Sequence, residues 1–269
     1  MTEAMIRNIL SIAGSDPSGG AGIQADIKAI SANGGYAMAV ITALTAQNTR
    51  GVSGVELVPP EFVAAQIDAV FDDIRVDAVK IGMLGSGEIA EAVAKALERH
   101  GACNVVLDPV MVAKGGDRLL SESAVAVLIE RLLPLAVVLT PNLPEAAALL
   151  GAAKPADRDA MVEIAEQLRA LGPRNVLLKG GHLRGGDSPD YLSTAAGGRW
   201  LEGERFATGN THGTGCTLSS ALAAQLAITG DPLQAAQNAK AYVAAAIAQA
   251  DELSVGSGHG PTHHFHALW

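Results

Sequence analysis

The stretch from Asn210 to Leu226 holds the residues best suited to chemistry. It opens with the turn Gly213-Thr214-Gly215 and continues into an apolar helix whose first turn carries Cys216. Glycines let backbone N–H groups approach a ligand closely, and the free N–H groups of a helix start attract anions. The same helix dipole predicts a lowered pKa for the Cys216 thiol. An anion site beside a potential base favours phosphoryl transfer. The alternative is a glycine turn that caps a core helix, with Cys216 as a small buried residue.

Polar residues also recur where apolar strands end or the next helix begins. They are Asp108, Asn142, Glu145 and Lys179. Taken singly, Asp108 and Asn142-x-x-Glu145 are explained by helix capping, and Lys179 by a solvated strand end. Ligands of doubly wound sheets bind at the carboxyl edge of the strands, and recurrence at that edge favours a shared site. We expect Glu145 to orient Mg²⁺, Lys179 to neutralise phosphate, and the glycine turn to bind the transition-state charge.

Two nucleotide-binding motifs fail in the glycine-rich segment that follows the first strand. Gly14 to Gly19 has the spacing of a P-loop, but Gly20 stands where that motif requires lysine. Gly20 to Ala25 matches the loose dinucleotide fingerprint, but the next strand leads into Thr45-Ala46-Gln47, which offers no carboxylate to a ribose. The segment is better interpreted as a tight turn that packs a small ligand against backbone, or as a bare turn.

The elements that must position these residues alternate between buried strands and helices, which predicts βα units and a mainly parallel sheet. A strand is predicted from Tyr36 to Leu44, and Pro59-Pro60 predicts a helix start whose buried stripe includes Phe62. Short, more polar strands between Asp190 and Phe206 predict an antiparallel edge. The chain contains no evident linker or repeat, so we expect one domain over residues 1–269.

Composition bounds the class of protein. Hydrophobic residues make up 49% of the 269 residues and aromatics only 3%, which suits helices packed on a parallel sheet. The net charge of −9 argues against nucleic-acid and anionic-membrane partners. Two cysteines, no signal pattern and no apolar run of about 18 residues favour a soluble cytoplasmic protein. The histidine-rich tail at 259–266 is expected to pack on the body, with metal binding disfavoured because no cysteine or carboxylate completes a site.

Several motifs together resemble the hydroxymethylpyrimidine/phosphomethylpyrimidine kinases of thiamine biosynthesis, members of the ribokinase-like superfamily. The resemblance spans almost the whole chain, and the ordered set of motifs is far more specific than any one of them. The motifs are I-A-G-S-D-P-S-G-G-A-G-I-Q-A-D (12–26), I-T-A-L-T-A-Q-N-T (41–49), K-I-G-M-L (80–84), V-L-D-P-V-M (106–111), T-P-N-L-P-E-A (140–146), L-K-G-G-H (178–182), N-T-H-G-T-G-C-T-L-S-S-A (210–221) and G-P-T-H-H-F-H (260–266).

The resemblance implies a three-layer α/β/α sandwich with a mainly parallel central sheet, and ATP with Mg²⁺ as the donor system. It implies that Gln47 recognises the aminopyrimidine ring, with Ala21, Asp26 and Met83 near the substrate. The implied anion hole comprises Gly213, Thr214, Gly215 and Cys216, with Cys216 where most sugar kinases of the superfamily carry an aspartate base. Asn142, Lys179 and Thr214 are implied at the nucleotide, and Glu145 with Asp108 at the metal. Family members are often homodimers.

The expected activity is phosphorylation of 4-amino-5-hydroxymethyl-2-methylpyrimidine and then of its monophosphate, with Cys216 as the base or hydrogen-bond acceptor in the first step. The nearest alternative is a pyridoxine or pyridoxal kinase, because related vitamin kinases share the scaffold and the cysteine turn. A non-catalytic pyrimidine-binding regulator is the alternative from another class. The complete set of Asn142, Glu145, Lys179 and Cys216 argues against it.

Overall fold

The computed structural model describes residues 5–111 and 122–268. Its strands are Arg7–Ala13 (β1), Gly35–Ile41 (β2), Ala43–Asn48 (β3), Gly51–Leu57 (β4), Ala78–Ile81 (β5), Val105–Leu107 (β6), Val138–Leu139 (β7), Asn175–Lys179 (β8), Asp190–Thr194 (β9) and Gly197–Leu201 (β10). Its α-helices are Gly22–Ala32 (α1), Pro60–Phe71 (α2), Gly87–Arg99 (α3), Glu122–Val127 (α4), Leu143–Leu150 (α5), Arg158–Ala170 (α6), Thr214–Thr229 (α7) and Pro232–Ala248 (α8). A π-helical turn and a 3₁₀ turn extend α4 through Leu128–Leu132 and Leu133–Leu135, and another 3₁₀ turn follows α8 at Ala250–Glu252.

Eight strands form the central sheet in the order β10-β9-β8-β7-β6-β5-β1-β2. The six strands from β2 to β8 along this order pair in parallel, while β9 and β10 add antiparallel pairs at one edge. The predicted parallel sheet and its antiparallel edge are therefore confirmed. The carboxyl ends of β1, β5, β6, β7 and β8 meet at the same edge of the sheet, where ligands bind in folds of this class.

Helices cover both faces of the sheet, which completes the three-layer α/β/α sandwich. Successive strand residues face opposite sides. In β1, Leu10 and Ile12 join a core with α2 to α6, whereas Ile9 joins a second core with α1, α7 and α8. Strands buried on both faces are nearly continuous runs of apolar residues, which explains the unbroken apolar character of β6. In the part of the chain that the structure describes, no helix combines the length and apolarity needed to cross a bilayer.

The predicted strand from Tyr36 to Leu44 is wrong at its end. The strand β2 stops at Ile41, and the fully buried Thr42 turns the chain away from the main sheet. The N–H of Thr42 donates to the carbonyl of Ala13 at 3.0 Å, and its hydroxyl donates to the carbonyl of Met83 at 2.6 Å. From Ala43 the chain pairs with β4 in a separate two-stranded antiparallel sheet. This hairpin carries Gln47 over the sheet edge.

The stripe predicted for α2 needs a second correction. Val63 and Ile67 are fully buried, as expected, but Phe62 is 60% exposed. Its position one residue before Val63 turns its side chain toward solvent, since neighbouring helix positions are rotated by about 100°. Three apolar residues of the hairpin, Leu44, Val55 and Leu57, are exposed as well.

Candidate active site

One cavity of about 1070 Å³ opens at the carboxyl edge of the sheet. It brings together eleven of the twelve site residues predicted from the sequence. They are Ala21, Gln47, Met83, Asp108, Asn142, Glu145, Lys179, Gly213, Thr214, Gly215 and Cys216. The twelfth, Asp26, is fully buried on α1, where it accepts a hydrogen bond from Ser11. The polar residues at the strand ends therefore lie around one cavity, although the eleven residues are spread between positions 21 and 216 of the chain.

The first turn of α7 forms the cavity wall that the sequence predicts to bind anions. Gly213 precedes the helix with a left-handed backbone (φ 74°), and a Cβ there would overlap the carbonyl oxygen of Gly20. Glycine is therefore required both by the dihedral angle and by the close packing against the β1–α1 loop. At Gly215 a Cβ would lie 3.4 Å from Nζ of Lys179 and 3.5 Å from Oδ2 of Asp108. The turn thus brings backbone N–H groups close to the charged residues.

A charged cluster of Asp108, Glu145 and Lys179 lies next to this turn. Nζ of Lys179 donates to Oδ1 of Asp108 at 2.9 Å and lies 4.0 Å from Oε2 of Glu145. Burial alone would lower the pKa of Lys179, but the carboxylates of Asp108 and Glu145 outweigh it and raise that pKa above its ordinary value. Lys179 is therefore a fixed positive charge at the point where phosphate is expected.

For Glu145 burial has a larger effect on the pKa than the neighbouring charges do, the reverse of Lys179. Burial raises the pKa of its carboxyl to about 7, helped by the negative charge of Asp108, although the charge of Lys179 opposes the rise. A second positive charge in the cavity would therefore be favoured, because it would stabilise the carboxylate form. The arrangement offers a cation two carboxylates, Asp108 just after β6 and Glu145 in the first turn of α5.

Asn142 and Glu145 also form a capping box at the start of α5. The side chain of Asn142 accepts from the N–H of Glu145 at 2.9 Å, and Oε2 of Glu145 accepts from the N–H of Asn142 at 2.8 Å. The helix cap that the sequence predicts at Asn142 and Glu145 is thus confirmed. It does not remove the pair from the site, because both residues line the cavity, and it fixes the orientation of the Glu145 carboxyl.

Cys216 departs from the sequence expectation. The helix dipole alone predicted a lowered pKa for its thiol, and that prediction is wrong. Burial raises the pKa to about 11, and Asp26 and Asp108 add to the rise. Lys80 and the backbone N–H of Gly22 oppose it. Cys216 is half-buried at the cavity wall, and desolvation wins because elements distant in sequence pack around that wall, which the local sequence does not reveal.

The Gln47 end of the cavity contains a network that sequence reasoning missed. Nε2 of His212 donates to Oδ2 of the buried Asp16 at 2.8 Å, and Nε2 of Gln47 lies 3.4 Å from the same His212 nitrogen. Burial tends to raise the pKa of Asp16, but hydrogen bonds from His212, Ser18 and the N–H of Ala21 lower it to about 2. Asp16 is therefore a constant negative charge that holds the β1–α1 loop against the loop before α7.

Lys80 is the second group that sequence reasoning missed. It forms part of the cavity wall, yet its side chain is fully buried and paired with Asp26 at 2.8 Å. The available signal was a charged residue in the apolar strand Val79-Lys80-Ile81. Lysine is almost never fully buried unless it is paired.

The tail folds back onto the body, as expected. Thr262 and His263 are buried, and Nε2 of His264 lies 3.0 Å from the hydroxyl of Thr217 in the first turn of α7. The N–H of His212 donates to the carbonyl of Gly260 at 2.9 Å. The tail therefore contacts both the loop before α7 and the first turn of that helix.

Comparison with known proteins agrees with the geometry of the cavity. A family model described as phosphomethylpyrimidine kinase matches residues 16–263. The hydroxymethylpyrimidine/phosphomethylpyrimidine kinase of Escherichia coli (strain K12) is 56% identical over 262 residues, which cover 97% of this chain and 98% of the relative.

Two solved structures share the fold. The phosphomethylpyrimidine kinase of Clostridium difficile 630 is 43% identical with a TM-score of 0.79, covering 88% of this chain and 97% of the other. The pyridoxal kinase of Staphylococcus aureus, in complex with AMP-PCP and pyridoxal, is 33% identical with a TM-score of 0.89, covering 98% and 95%. With a family model spanning most of its length and a relative more than half identical, this chain belongs to the phosphomethylpyrimidine kinase family.

Proposed function

We propose that this protein transfers the terminal phosphoryl group of ATP first to 4-amino-5-hydroxymethyl-2-methylpyrimidine and then to its monophosphate, giving the diphosphate used in thiamine biosynthesis. One observation carries the proposal: a single cavity joins the Gln47 wall to the Asp108–Glu145–Lys179 cluster and the start of α7. A kinase needs this adjacency, because positioning and charge stabilisation supply nearly all of the catalysis in phosphoryl transfer.

The phosphate end supplies three kinds of group. Lys179 neutralises the charge of the transferred phosphoryl group, and the N–H groups of Gly215 and Cys216 bind the charge that develops in the transition state. Thr214 and Asn142 are expected to contact the nucleotide phosphates. The lack of a side chain at Gly215 supports this assignment, since a Cβ there would fill space next to Lys179 and Asp108.

The residues present fit Mg²⁺. In proteins this ion is usually held by one or two carboxylates together with phosphate oxygens and waters. Asp108 and Glu145 supply two carboxylates, and within residues 5–111 and 122–268 no cluster of three or more His, Cys, Asp or Glu side chains offers an all-protein metal cage. Bound there, Mg²⁺ would neutralise phosphate charge. The raised pKa of Glu145 supports a cation at this place.

The two phosphorylation steps make different demands on Cys216. In the first step a neutral hydroxymethyl group must lose its proton, and Cys216 is the proposed acceptor. In the second step the attacking oxygen belongs to an anionic phosphate, so proton removal matters less. Because the pKa of Cys216 is raised to about 11, the thiolate is scarce at neutral pH and its stabilisation becomes a determinant of the first step.

The pyrimidine is proposed to lie between Gln47, Ala21 and Met83. A primary amide donates and accepts on adjacent atoms, which matches the amino group and ring nitrogen of an aminopyrimidine. Oε1 of Gln47 accepts from the hydroxyl of Thr45 at 3.3 Å, which orients the amide. Asp26, fully buried behind the wall, would act on the substrate only through its neighbours.

A kinase assay with purified protein tests the function. ATP and Mg²⁺ are supplied with hydroxymethylpyrimidine, its monophosphate or pyridoxal, and ADP and phosphorylated product are both measured. We expect turnover of both pyrimidines with a higher kcat/KM than pyridoxal. Faster phosphorylation of pyridoxal would instead assign the vitamin B6 substrate, an alternative raised by the similarity to the Staphylococcus aureus pyridoxal kinase. Binding of the pyrimidine without ADP formation would indicate a regulator.

The variant Gln47→Leu tests the substrate end separately. Loss of a buried polar partner typically costs about 1–3 kcal/mol, so we expect KM for hydroxymethylpyrimidine to rise by roughly 5- to 150-fold while KM for ATP changes little. Thr45→Val is the companion variant, because it keeps the Gln47 amide and removes the Thr45 hydroxyl, which donates to Oε1 of Gln47 at 3.3 Å and to the carbonyl of Ser15 at 2.9 Å. An unchanged KM in Gln47→Leu would remove Gln47 from pyrimidine recognition.

We further propose that residues 1–269 form one kinase domain that assembles as a homodimer in the cytoplasm. Three exposed apolar side chains of the β3–β4 hairpin, Leu44, Val55 and Leu57, support a dimer surface together with Phe62, which is 60% exposed. Both cysteines are free thiols, which fits a reducing compartment. Sedimentation of the wild type and of Phe62→Ser tests the surface, and a monomeric wild type would refute the dimer.

A further inference from the structure

A lysine–aspartate pair is enclosed beneath the active-site helix α7. Nζ of Lys80 donates to both carboxylate oxygens of Asp26, at 2.9 and 2.8 Å. The same carboxylate accepts from the hydroxyls of Ser11 at 2.6 Å and Ser220 at 2.7 Å. All four residues are fully buried. The carboxylate is thus saturated with donors, whereas an ammonium group has three N–H donors and Asp26 offers only two oxygens.

The pair lies in a layer that is otherwise apolar. In the parallel register of β1 and β5, Ser11 is paired with Lys80, and the residues two positions earlier on these strands, Ile9 and Ala78, belong to the core under α1 and α7. Residues two apart on a strand share a face, so Lys80 points into this helix–sheet interface. Replacing such a pair with apolar residues is often neutral or stabilising, so stability alone does not account for it.

The connections of the pair lead to Cys216. Ser220, which donates to Asp26, lies four residues after Cys216 on α7 and therefore one turn along the same helix face. On α1, Asp26 lies four residues after Gly22, whose N–H favours the thiolate of Cys216. Two helices thus hold the Lys80–Asp26 pair and the thiol in a fixed relation.

We propose that Lys80, held by Asp26, is a positioning residue for the first phosphorylation, because its buried ammonium group stabilises the Cys216 thiolate that accepts the hydroxyl proton. This inference rests on the proposed function. In the step, the O–H bond of the substrate breaks and its proton passes to Sγ of Cys216. The freed oxygen bonds to the terminal phosphorus of ATP, and the bond from that phosphorus to ADP breaks. Release of the proton to solvent restores the thiolate.

Charges of both signs act on Cys216, and their balance explains why Lys80 matters. Burial is the largest influence on the thiol and disfavours the thiolate, as do the carboxylates of Asp26 and Asp108. Lys80 opposes them most strongly, and Gly22 contributes through its N–H. The charge of Lys179 also interacts with the Cys216 thiolate, although Asp108 and Glu145 act on Lys179 more strongly than Cys216 does. Lys80, which lines the same cavity as Cys216, is therefore a counter-charge available to the thiolate.

Thiol alkylation tests the inference without substrate. Iodoacetamide reacts with the thiolate, and peptide mass spectrometry separates Cys216 from the exposed Cys103, which serves as an internal control. Rates are measured from pH 7.5 to 9.5 in the wild type and in Lys80→Met. We expect alkylation of Cys216 to fall by about tenfold or more, as each unit of thiol pKa changes the thiolate fraction tenfold, while Cys103 is unchanged.

A second variant guards against misfolding. The variant Asp26→Asn/Lys80→Met removes both charges, so no buried charge is left without a partner. We expect it to keep the slow Cys216 alkylation of Lys80→Met, although loss of Asp26 offsets part of the change. Lys95→Met makes the same change of net charge on the exposed surface of α3 and should leave Cys216 at the wild-type rate.

Kinetics then connect the thiol to the reaction. In Lys80→Met we expect kcat/KM for hydroxymethylpyrimidine to fall about tenfold, and in the double variant by a smaller factor. The loss for the monophosphate should be much smaller in both. Wild-type alkylation of Cys216 in a folded double variant would overturn the inference, as would a double variant unable to fold, since the pair would then serve the fold. Wild-type protein that phosphorylates neither pyrimidine would refute the proposed function, whereas the alkylation result would still report on Lys80 and Cys216.

Discussion

The two lysine–aspartate pairs near Cys216 are chemically alike but differ in their access to the cavity. Lys179 and Asp108 are joined at 2.9 Å with side chains 14% and 3% exposed, whereas Lys80 and Asp26 are joined at 2.8 Å with none exposed. Lys179 ends a strand and faces Glu145 as well, so its ammonium group can exchange one oxygen partner for another. Lys80 borders the cavity, but no part of its side chain is exposed. We therefore expect the open pair, Lys179–Asp108, to act on phosphate and the closed pair, Lys80–Asp26, to act on the electrostatics of the Cys216 thiol.

The largest effect is expected from the open pair. Lys179→Met should lower kcat/KM by about 10³-fold on both hydroxymethylpyrimidine and its monophosphate, because each step moves a phosphoryl group past the same charge. Parallel kinetics with the two acceptors measure this. A loss confined to the alcohol would mean that Lys179 and Lys80 act alike, and the distinction between the pairs would be lost.

The closed pair should dominate stability. Lys80→Met leaves Asp26 charged without a cation, and breaking one partner of a buried pair costs about 3–5 kcal/mol in the free energy of unfolding. Lys179→Met should cost clearly less, because Asp108 borders the cavity, where water can solvate the carboxylate that loses its partner, whereas Asp26 does not. Urea denaturation of both variants and of Asp26→Asn/Lys80→Met, which should recover most of the loss, provides the comparison. Equal destabilisation by the two single variants would contradict it.

Cys216→Ala tests whether the thiol near the closed pair serves the first phosphorylation, that of the alcohol. We expect a loss of about 10²-fold with hydroxymethylpyrimidine, near the lower end for a general base because the raised pKa keeps the thiolate scarce, and far less with the monophosphate. The backbone N–H groups of the α7 turn remain in the variant. Equal losses on both acceptors would assign Cys216 to the fold or to anion binding.

The pH dependence of kcat/KM tests the role of the Cys216 thiolate in a second way. Below the Cys216 pKa of about 11, raising the pH increases the thiolate fraction, so wild-type kcat/KM for the alcohol should rise by up to tenfold per pH unit. The slope should vanish in Cys216→Ala and be weaker for the monophosphate in the wild type. A flat wild-type profile between pH 7 and 9 would exclude thiolate chemistry as rate-limiting.

The smallest effect is expected for Glu145, the third residue of the charged cluster with Asp108 and Lys179. Glu145→Gln should raise the Mg²⁺ concentration for half-maximal rate by about tenfold, the lower end for loss of a residue that supports a metal. The amide oxygen of glutamine can still accept from the N–H of Asn142, so the cap of α5 is retained. Mg²⁺ titrations identical to wild type would leave Glu145 with only its capping role.

Much of the open site follows from local sequence. Asp108 and Lys179 come directly after a short apolar run and Asn142 comes three residues after one, and parallel strands bring such positions to one edge. The Gly213–Cys216 turn could also be predicted, because glycines before an apolar run predict a helix start. These assignments needed only strand order and chain direction, which alternation of strands and helices supplies.

The closed site did not follow from local sequence. Lys80 and Asp26 are 54 positions apart, and no periodicity connects them. The hairpin β3–β4 was also missed, because Thr42 breaks the strand through hydrogen bonds to Ala13 and Met83, which lie on other elements. Likewise, Phe62 was assigned to the core from a pattern that could not distinguish a buried stripe from an exposed neighbour.

The sequence by itself determined the parallel sheet with its antiparallel edge, the cap of α5 and the glycine turn before α7. Each of these depends on residues within a few positions of one another. Tertiary structure alone decided the sign of the Cys216 pKa and the pairing of Lys80 with Asp26. Both depend on which charges and how little water surround a group, and elements distant in sequence set that environment only when they pack together.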